Sequence, residues 1–471
     1  MTVRTAADLA AGFADGSLTP SGVIDEALET AGAATSAFAT FASLDPDGAR
    51  AAACESDDRW AAGSPLGPLD GVPISFKDSF HVAGLPRWHG TAASPGPLSA
   101  ADCAPVRRAR EAGMVVLGKT TMPDYAMLMA GLSSQHGTIT NPWDPATNTS
   151  GSSAGAGPSV VTGATPIAVG TDMIGSVRLP AAVCGLASIK PTQGRIAYDP
   201  AGSYRSAGPM AATVDDVEAA LVVLGQEDVA DRYCLPGGYE PAPARLTSLA
   251  GRRFLSVRGL SFGTPLDDAT MEALARAEAL VVDLGGTVEA VDDLPVDAAD
   301  HDAVYWSMIY LGLPDHLSRS TADRARALPR VAEMLEGASS QSATFAALAA
   351  RRLAGATEQV RALVEPFDHV LSPVLPARSF PASWLSTTED DPVAHMGFTC
   401  WFNQLGTPAG TVPVLDPGDA GVPVSVQVTG QRFADGDVLD VLRLLERDRG
   451  FTPALPGLDR APTTSSGETA R

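Results

Sequence analysis

Residues 166–178 read PIAVGTDMIGSVR, an apolar run followed by a turn that contains two glycines. The apolar run predicts a strand over Pro166–Val169, so that Ser176 follows the carboxyl end of a strand, where α/β sheets place their functional sites. The main-chain amides from Met173 to Ser176 can converge on an oxyanion, as preorganised backbone donors do in acyl transfer. The alternative is a tight glycine turn in which Ser176 only caps the next helix.

Helix and strand patterns alternate on both sides of this stretch. The first 65 residues have helical patterns, with a capping box at Thr5 and an N-cap at Thr19. Further strands are predicted at Gly71–Phe76, Met114–Leu117, Phe254–Val257, His369–Leu371, Ala409–Val414 and Val424–Val428. Further helices are predicted at Asp47–Ala62, Ala101–Ala112, Ser153–Thr162, Val214–Leu224, Asp267–Leu284, Asp437–Glu446 and between Thr321 and Val364. The alternation predicts an α/β fold.

Domain organisation follows from the same patterns. We expect one domain over residues 1–455, on which the N-terminal helices of residues 1–65 pack. Residues 456–471 carry Pro, Thr, Ser and Gly without periodicity, and we expect them to form a disordered tail.

Composition excludes several classes of function. The chain has 471 residues, and its 33 Lys and Arg against 55 Asp and Glu leave a net charge of −22, which disfavours nucleic acid and anionic membrane surfaces as partners. The five cysteines are scattered without a CxxC pair, so neither a disulfide framework nor a zinc site is indicated. With no apolar run of membrane-spanning length and no signal-peptide core, we expect a cytoplasmic protein.

Lysine is rare in this sequence. Only Lys77, Lys119 and Lys190 occur, so 30 of the 33 basic residues are arginine. Burial can remove the proton from a lysine and turn it into a base, whereas a guanidinium stays charged. Each lysine is therefore either a candidate base or a structural residue that binds carbonyls or carboxylates.

A second serine motif competes with the first. Gly151-Ser152-Ser153-Ala154-Gly155 fits the GxSxG nucleophile elbow with Ser153 as nucleophile. Such an elbow needs a hydrophobic strand directly before it, and the polar, proline-containing residues 141–148 do not predict one. We therefore favour a serine and lysine system without histidine.

Several ordered motifs resemble the amidase signature family. They are Gly71–Asp78, Ser150–Ser153, Gly170–Pro180 and Gly185–Arg195, with Asn141-Pro142-Trp143, Ser372-Pro373, Asn403, Gly406–Ala409, Gln427 and Gly430 as further landmarks. Lys77 precedes Ser152 by 75 residues and Ser152 precedes Ser176 by 24, separations similar to those of the fatty acid amide hydrolase branch. The resemblance covers roughly residues 1–450.

The resemblance implies roles for individual residues. Ser176 would be the nucleophile, Ser152 the bridging serine that follows a cis peptide bond, and Lys77 the base. The amides of Met173, Ile174, Gly175 and Ser176 would form the oxyanion hole. The segment Ala126, Met127, Leu128 and Met129 would lie beside the acyl pocket, the alternative for it being a helix in the core.

Other residues depart from the family pattern or support the site. Ile174 stands where the family has glycine, and because isoleucine resists a positive φ, the loop must adopt a conformation open to β-branched residues. Ile174 could instead narrow the acyl pocket. Asp172 and Arg178 would form a charge-assisted scaffold for the loop, while Lys119 and Lys190 would be structural.

Together these features predict an amidase with a mixed central β-sheet wrapped by helices. It would hydrolyse a small-molecule carboxamide to a carboxylic acid and ammonia or an amine, without a metal or organic cofactor, and a homodimer remains open. The alternatives are an amidotransferase A subunit that works within a complex and a catalytically silent binding protein with this fold.

Overall fold

The computed structural model describes residues 3–198, 202, 205–416, 418 and 421–458. Their strands are β1 Phe41–Leu44, β2 Pro73–Lys77, β3 Val115–Thr120, β4 Leu132–Ser133, β5 Gly137–Thr138, β6 Thr140–Asn141, β7 Asp144–Asn148, β8 Ile167–Asp172, β9 Ala187–Lys190, β10 Ser206–Ala211, β11 Arg253–Val257, β12 Thr287–Val291, β13 His369–Pro373, β14 Ala409–Leu415 and β15 Val424–Gly430.

The helices alternate with these strands. They are α1 Ala6–Asp15, α2 Pro20–Phe38, α3 Pro46–Ala61, α4 Ala104–Glu111, α5 Ala156–Val161, α6 Arg178–Val183, α7 Val214–Leu224, α8 Asp268–Asp283, α9 Ala298–Leu317, α10 Thr321–Arg324, α11 Pro329–Ser339, α12 Ala343–Val364, α13 Trp401–Gln404 and α14 Asp435–Asp448. A 3-10 turn covers Asp124–Ala126.

One large sheet organises the fold. Its strand order is β1-β3-β2-β8-β10-β9-β14-β15-β13-β11-β12. The strand β2 runs parallel to both β3 and β8, and β11 runs parallel to β12 and β13, whereas the remaining pairs are antiparallel. The predicted mixed central β-sheet is therefore confirmed.

Apolar cores lie on the two faces of this sheet, which is why helices wrap it. One core joins Ile74 and Val428 of the sheet to Leu442 of α14. The other joins Leu255 of the sheet to Leu179 of α6. Alternate residues of a strand point to opposite faces, so a strand buried on both sides is mostly apolar.

Local signals placed the starts of α1 and α2 correctly. Thr5 and Asp8 form the predicted capping box of α1, and the Thr19 side chain accepts a hydrogen bond from the Gly22 amide at the start of α2. Each such cap satisfies an amide that the helix itself leaves unpaired.

The structure contains elements that the patterns did not predict. Helix α9 is missing from the prediction because it carries polar residues around its circumference and Pro314 inside it. Strand β10 contains glycine and proline, and it forms because β8 and β9 pair with its two edges. The segment 141–148 does include the short strand β7, which pairs with β6 outside the main sheet.

The two ends of the described chain pack against the rest. The buried carboxylate of Asp216 accepts hydrogen bonds from the amides of Ala6 and Ala7, which joins α1 to α7. The Gly457 amide donates to the Val161 carbonyl, so packing continues past Pro456, where the tail was expected to begin. Residues 459–471, on which the rest of that prediction falls, lie outside the described residues. Within the described part, no helix is long and apolar enough to cross a membrane.

Candidate active site

The ends of two parallel strands bring the candidate residues together. The register pairs Ser75 of β2 with Ala168 of β8, and Phe76 with Val169. The next residues along each strand are therefore neighbours, which sets Lys77 beside the end of β8. This is the carboxyl edge at which the sequence predicted the site.

Lys77 is fully buried and its amine contacts two hydroxyls. Its Nζ donates to Ser152 Oγ at 2.7 Å and to Thr171 Oγ1 at 3.0 Å. Burial lowers the pKa of Lys77 to about 7, with the negative charge of Asp172 opposing the shift and the positive charge of Arg205 adding to it. A substantial share of the amine is therefore neutral near neutral pH and able to accept a proton.

Ser152 lies in a loop with two unusual backbone features. The Gly151–Ser152 peptide bond is cis, and Ser150 adopts a left-handed φ of 57°. The Ser150 hydroxyl donates to the Met129 carbonyl at 3.0 Å and lies 3.4 Å from Nε2 of the buried His395. These contacts hold the backbone that presents Ser152 to Lys77.

Ser176 shares a cavity with Ser152 but not a hydrogen bond. Both serines line a cavity of about 190 Å³, and Ser176 is 3% exposed. Its Oγ instead contacts Met129 Sδ at 3.8 Å. The hydrogen bond between Lys77 and Ser152, the first link of the predicted relay, is thus present. The second link, between Ser152 and Ser176, requires the Ser176 hydroxyl to turn away from Met129.

A buried ion pair holds the turn before Ser176. Arg178 donates to Asp172 through Nη2 to Oδ1 and through Nε to Oδ2, both at 2.9 Å. It also donates to Asn403 Oδ1 and Gln427 Oε1, each at 2.6 Å, so two of the later landmarks bind this guanidinium. Burial alone would raise the pKa of Asp172, but Arg178 holds it well below its usual range. The predicted scaffold is therefore present in the structure.

The turn leaves three of the four predicted oxyanion amides available. The Gly175 amide donates to Asp172 Oδ1 at 2.7 Å, so Gly175 does not serve as a free donor, contrary to the expectation. The amides of Met173, Ile174 and Ser176 have no acceptor among the residues described. Gly175 carries the positive φ of the turn, 131°, while Ile174 stays out of that region. This satisfies the steric requirement that isoleucine imposes.

The acyl-pocket segment is only partly as predicted. Ala126, Met127 and Met129 line the cavity, and Leu128 is not among the lining residues; Met127, Leu128 and Met129 all belong to the apolar core beside the cavity. The segment is not a helix either, because Tyr125 and Ala126 have φ values of 52° and 62°.

The other candidate residues have structural contacts. Lys119 binds Asp78 Oδ1 and the Pro86 carbonyl, both at 2.8 Å, and Lys190 binds the carbonyls of Pro191 and Thr407. Lys190 belongs to a central strand of the sheet. The Ser153 hydroxyl contacts the main chain of Thr171 and is not among the cavity residues.

Sequence reasoning did not assign several residues that complete the site. Thr171 belongs to the stretch quoted from residues 166–178, and its position near the end of the predicted strand was the sequence feature that could have assigned it to the site. His395 had no distinctive sequence setting. The cavity also has a polar wall with Arg87, His89, Arg205 and Asp315, which the rest of the chain brings together only after folding.

Comparison with known protein sequences shows the family to which these motifs belong. The sequence model of the family described as Amidase matches residues 22–439. The chain is 33% identical to the A subunit of the glutamyl-tRNA(Gln) amidotransferase from Acidothermus cellulolyticus (strain ATCC 43068 / DSM 8971 / 11B), over 94% of each chain.

Solved structures of known proteins have a similar fold. One similar chain belongs to a vestigial protein complex described as revealing the evolutionary origins of an s-triazine catabolic enzyme. Its superposition has a TM-score of 0.86 at 25% sequence identity and covers 96% of this chain and 100% of that chain. A bacterial aryl acylamidase of the amidase signature enzymes family has a TM-score of 0.87 at 22% identity, covering 98% of both chains, a likeness of fold.

Proposed function

The chain belongs to the amidase signature family, and from this premise we propose that it hydrolyses a linear carboxamide to a carboxylic acid and ammonia or an amine, through an acyl-enzyme on Ser176. The observation that carries the proposal is the 2.7 Å hydrogen bond between Lys77 Nζ and Ser152 Oγ, at a cavity that Ser176 also lines.

The first half of the reaction acylates the enzyme. Ser176 Oγ turns from Met129 toward Ser152 and attacks the amide carbon, while its proton passes to Ser152 and the Ser152 proton passes to neutral Lys77. A hydroxyl can accept and donate at once, which suits Ser152 to this relay. The negative oxygen that develops is stabilised by the free amides of the turn.

The second half releases both products. The proton returns from Lys77 through Ser152 to the nitrogen of the leaving group, and the C–N bond breaks to release ammonia or an amine. Water then enters, loses a proton to the same relay and attacks the acyl carbon. The ester bond to Ser176 Oγ breaks, the proton returns from Lys77 through Ser152 to that oxygen, and the acid leaves. Every step uses groups of this chain and water.

The cavity supports an apolar acyl group near the nucleophile. Met127, Met129, Ile174 and Met308 line it around Ser176. Methionine side chains adapt to irregular shapes, so aliphatic and aryl groups both fit this wall. Ile174 lines the cavity beside the turn with a larger side chain than the glycine that the family has there, which favours small acyl groups.

Labelling with a fluorophosphonate tests the nucleophile. An activated serine displaces fluoride and forms a stable bond to phosphorus, which peptide mass spectrometry locates. We expect the label on Ser176 in the wild-type chain and in Ser153→Ala, and none in Ser176→Ala. A label on Ser153, or none on a folded chain, would contradict the proposal and, in the second case, would favour a silent binding protein.

The second candidate is an amidotransferase A subunit. It is favoured by the 33% identical relative of that name, which matches along nearly the whole chain. The strong negative charge opposes direct contact with tRNA. Ammonia release by the purified chain from simple amides, with no gain from added partner proteins or ATP, favours the hydrolase; strict dependence on them favours the amidotransferase.

The proposal also covers the cellular location and the oligomeric state of the enzyme. We expect it to act in the cytoplasm on a small-molecule amide. Light scattering of the purified chain distinguishes a monomer from the homodimer that the sequence left open.

A further inference from the structure

Two arginines line the candidate active-site cavity with no carboxylate at ion-pair distance among the residues that the structure describes. Arg87 and Arg205 both line the cavity, and each is half-buried. Neither forms an ion pair with any acidic residue that the structure describes. Arg178 differs, because the carboxylate of Asp172 neutralises it. In a chain with net charge −22, two guanidiniums at one cavity without an ion pair among the described residues favour an anionic ligand.

Both arginines are held on the same side of the cavity. Arg87 Nε donates to the Ser79 carbonyl at 3.1 Å, which leaves its two terminal amines to bind elsewhere. The Arg205 guanidinium lies 4.8 Å from the centre of the Tyr198 ring, and that ring packs on Phe80 at 5.5 Å. Ser79 and Phe80 lie two and three residues after Lys77, the last residue of its strand, so both guanidiniums are held by the turn beyond that strand.

The remaining charged group on the wall has a partner. Asp315 Oδ2 lies 3.5 Å from His89 Nδ1, a contact that lowers the pKa of Asp315 and keeps its carboxylate ionised. Burial lowers the pKa of His89 to about 4, so this imidazole is neutral near neutral pH. The charge of Arg87 also lowers the pKa of Asp315. Among the described residues of this wall, two positive charges therefore face one negative charge, which leaves the wall positive.

We infer that the amide substrate carries a carboxylate, which Arg87 and Arg205 bind while its amide carbonyl lies at Ser176. The inference rests on the proposed function and narrows its substrate class. Guanidinium groups offer paired N–H donors that match the two oxygens of a carboxylate. The methionine wall would then contact the carbon chain between the two ends of the substrate.

A panel of paired amides tests this. On the acyl side, monoamides of dicarboxylic acids with one to four methylenes are each compared with an isostere that has isopropyl in place of carboxylate. On the amine side, N-acetylglycine is compared with N-acetylisobutylamine. We expect kcat/KM to favour the carboxylate by about tenfold or more in one of the two arms, as charge-assisted pairing supplies. The preference should decline as salt is added.

Variants then locate the anion site. Arg205→Gln and Arg87→Gln should each bring the carboxylate-to-isostere ratio of kcat/KM down, and Arg205→Lys should retain part of it. Arg232→Gln is the matched control, since Arg232 also stacks on a tyrosine, Tyr233 at 4.7 Å, but outside the cavity. It should leave the ratio unchanged. Circular dichroism and melting temperature show whether each variant is folded.

The outcomes separate this inference from the proposed function. Equal turnover of carboxylates and isosteres, or a ratio that survives both glutamine variants, overturns the anion site and leaves the amidase standing. If no amide is hydrolysed and Ser176 is not labelled, the proposed function fails, and calorimetric titration with glutarate decides the anion site alone. Loss of glutarate binding in Arg205→Gln supports the anion site. Absence of glutarate binding to the wild-type chain overturns it.

Discussion

Lys77 and Lys190 stand at the ends of strands β2 and β9 of the same sheet, and both are fully buried. Burial lowers the pKa of each to about 7. Their surroundings differ in the atoms that receive the hydrogen bonds. Lys77 donates to the hydroxyls of Ser152 and Thr171, whereas Lys190 donates to main-chain carbonyls.

The difference shows that burial and a lowered pKa do not by themselves make a lysine a catalytic base. A carbonyl oxygen accepts a hydrogen bond but has no proton to pass on, whereas a hydroxyl can relay one. Lys77 is connected to a cavity through Ser152, and Lys190 is enclosed by backbone. A lowered pKa therefore marks a candidate base only where an exchangeable hydroxyl links the amine to the place where substrate binds.

The largest expected effect comes from deleting the base. Lys77→Ala should lower kcat/KM on the best amide by about 10²–10⁴-fold, since the relay then has no final acceptor. The melting temperature should stay unchanged or rise, because the variant removes an amine whose charged form is destabilised by burial. Lys190→Met is the control, with turnover per folded molecule retained. Near-wild-type turnover by Lys77→Ala would exclude a lysine base.

The third lysine extends the comparison to stability. Lys119 pairs with the buried carboxylate of Asp78 at 2.8 Å, so Lys119→Met leaves that carboxylate without its cation. We expect a loss of about 3–5 kcal/mol in the free energy of unfolding, measured by chemical denaturation. The double variant Lys119→Met, Asp78→Asn should recover part of the loss, and failure to do so would indicate that the ion pair itself is not the cause.

The pH profile separates the base from the structural lysines. The neutral amine of Lys77 is the reactive form, and its pKa is lowered to about 7. Below that value the amine is protonated, so kcat/KM should fall about tenfold for each pH unit and be about a hundredfold lower at pH 5 than above the pKa. Arg205→Gln should move the midpoint to higher pH, because the Arg205 charge helps to lower the pKa of Lys77. A flat profile from about pH 5 to about pH 9 in the wild type would contradict the assignment.

The smallest expected effect concerns the second hydroxyl on Lys77. Thr171→Val keeps the shape of the side chain and removes one hydrogen bond from the amine. A loss of about 1 kcal/mol, or roughly fivefold in kcat/KM, is expected from steady-state kinetics. Ser153→Ala is the matched control, since that hydroxyl contacts only the Thr171 main chain. A loss as large as that of Lys77→Ala would make Thr171 part of the relay.

Particular elements show how far prediction from sequence reached. The strand before the turn, the capping box of α1 and the roles of Lys119 and Lys190 as ligands of carboxylates and carbonyls followed from local pattern and lysine chemistry. Gly175 was expected to offer a free amide, but that amide donates to the Asp172 carboxylate at 2.7 Å, a contact that only the folded turn forms. Leu128 was expected beside the acyl pocket together with its three neighbours; those three line the cavity, and Leu128 is not among its lining residues.

The sequence by itself determined the order and spacing of the serine and lysine motifs, the alternating elements and the acidic surface. These depend on residue type and on neighbours along the chain. Only the tertiary structure decided that Lys77 meets hydroxyls from two other segments, and that Arg87 and Arg205 face one cavity. The physical reason is that such contacts join residues far apart in sequence, so they exist only once the parallel strands have paired and water has left the space between them.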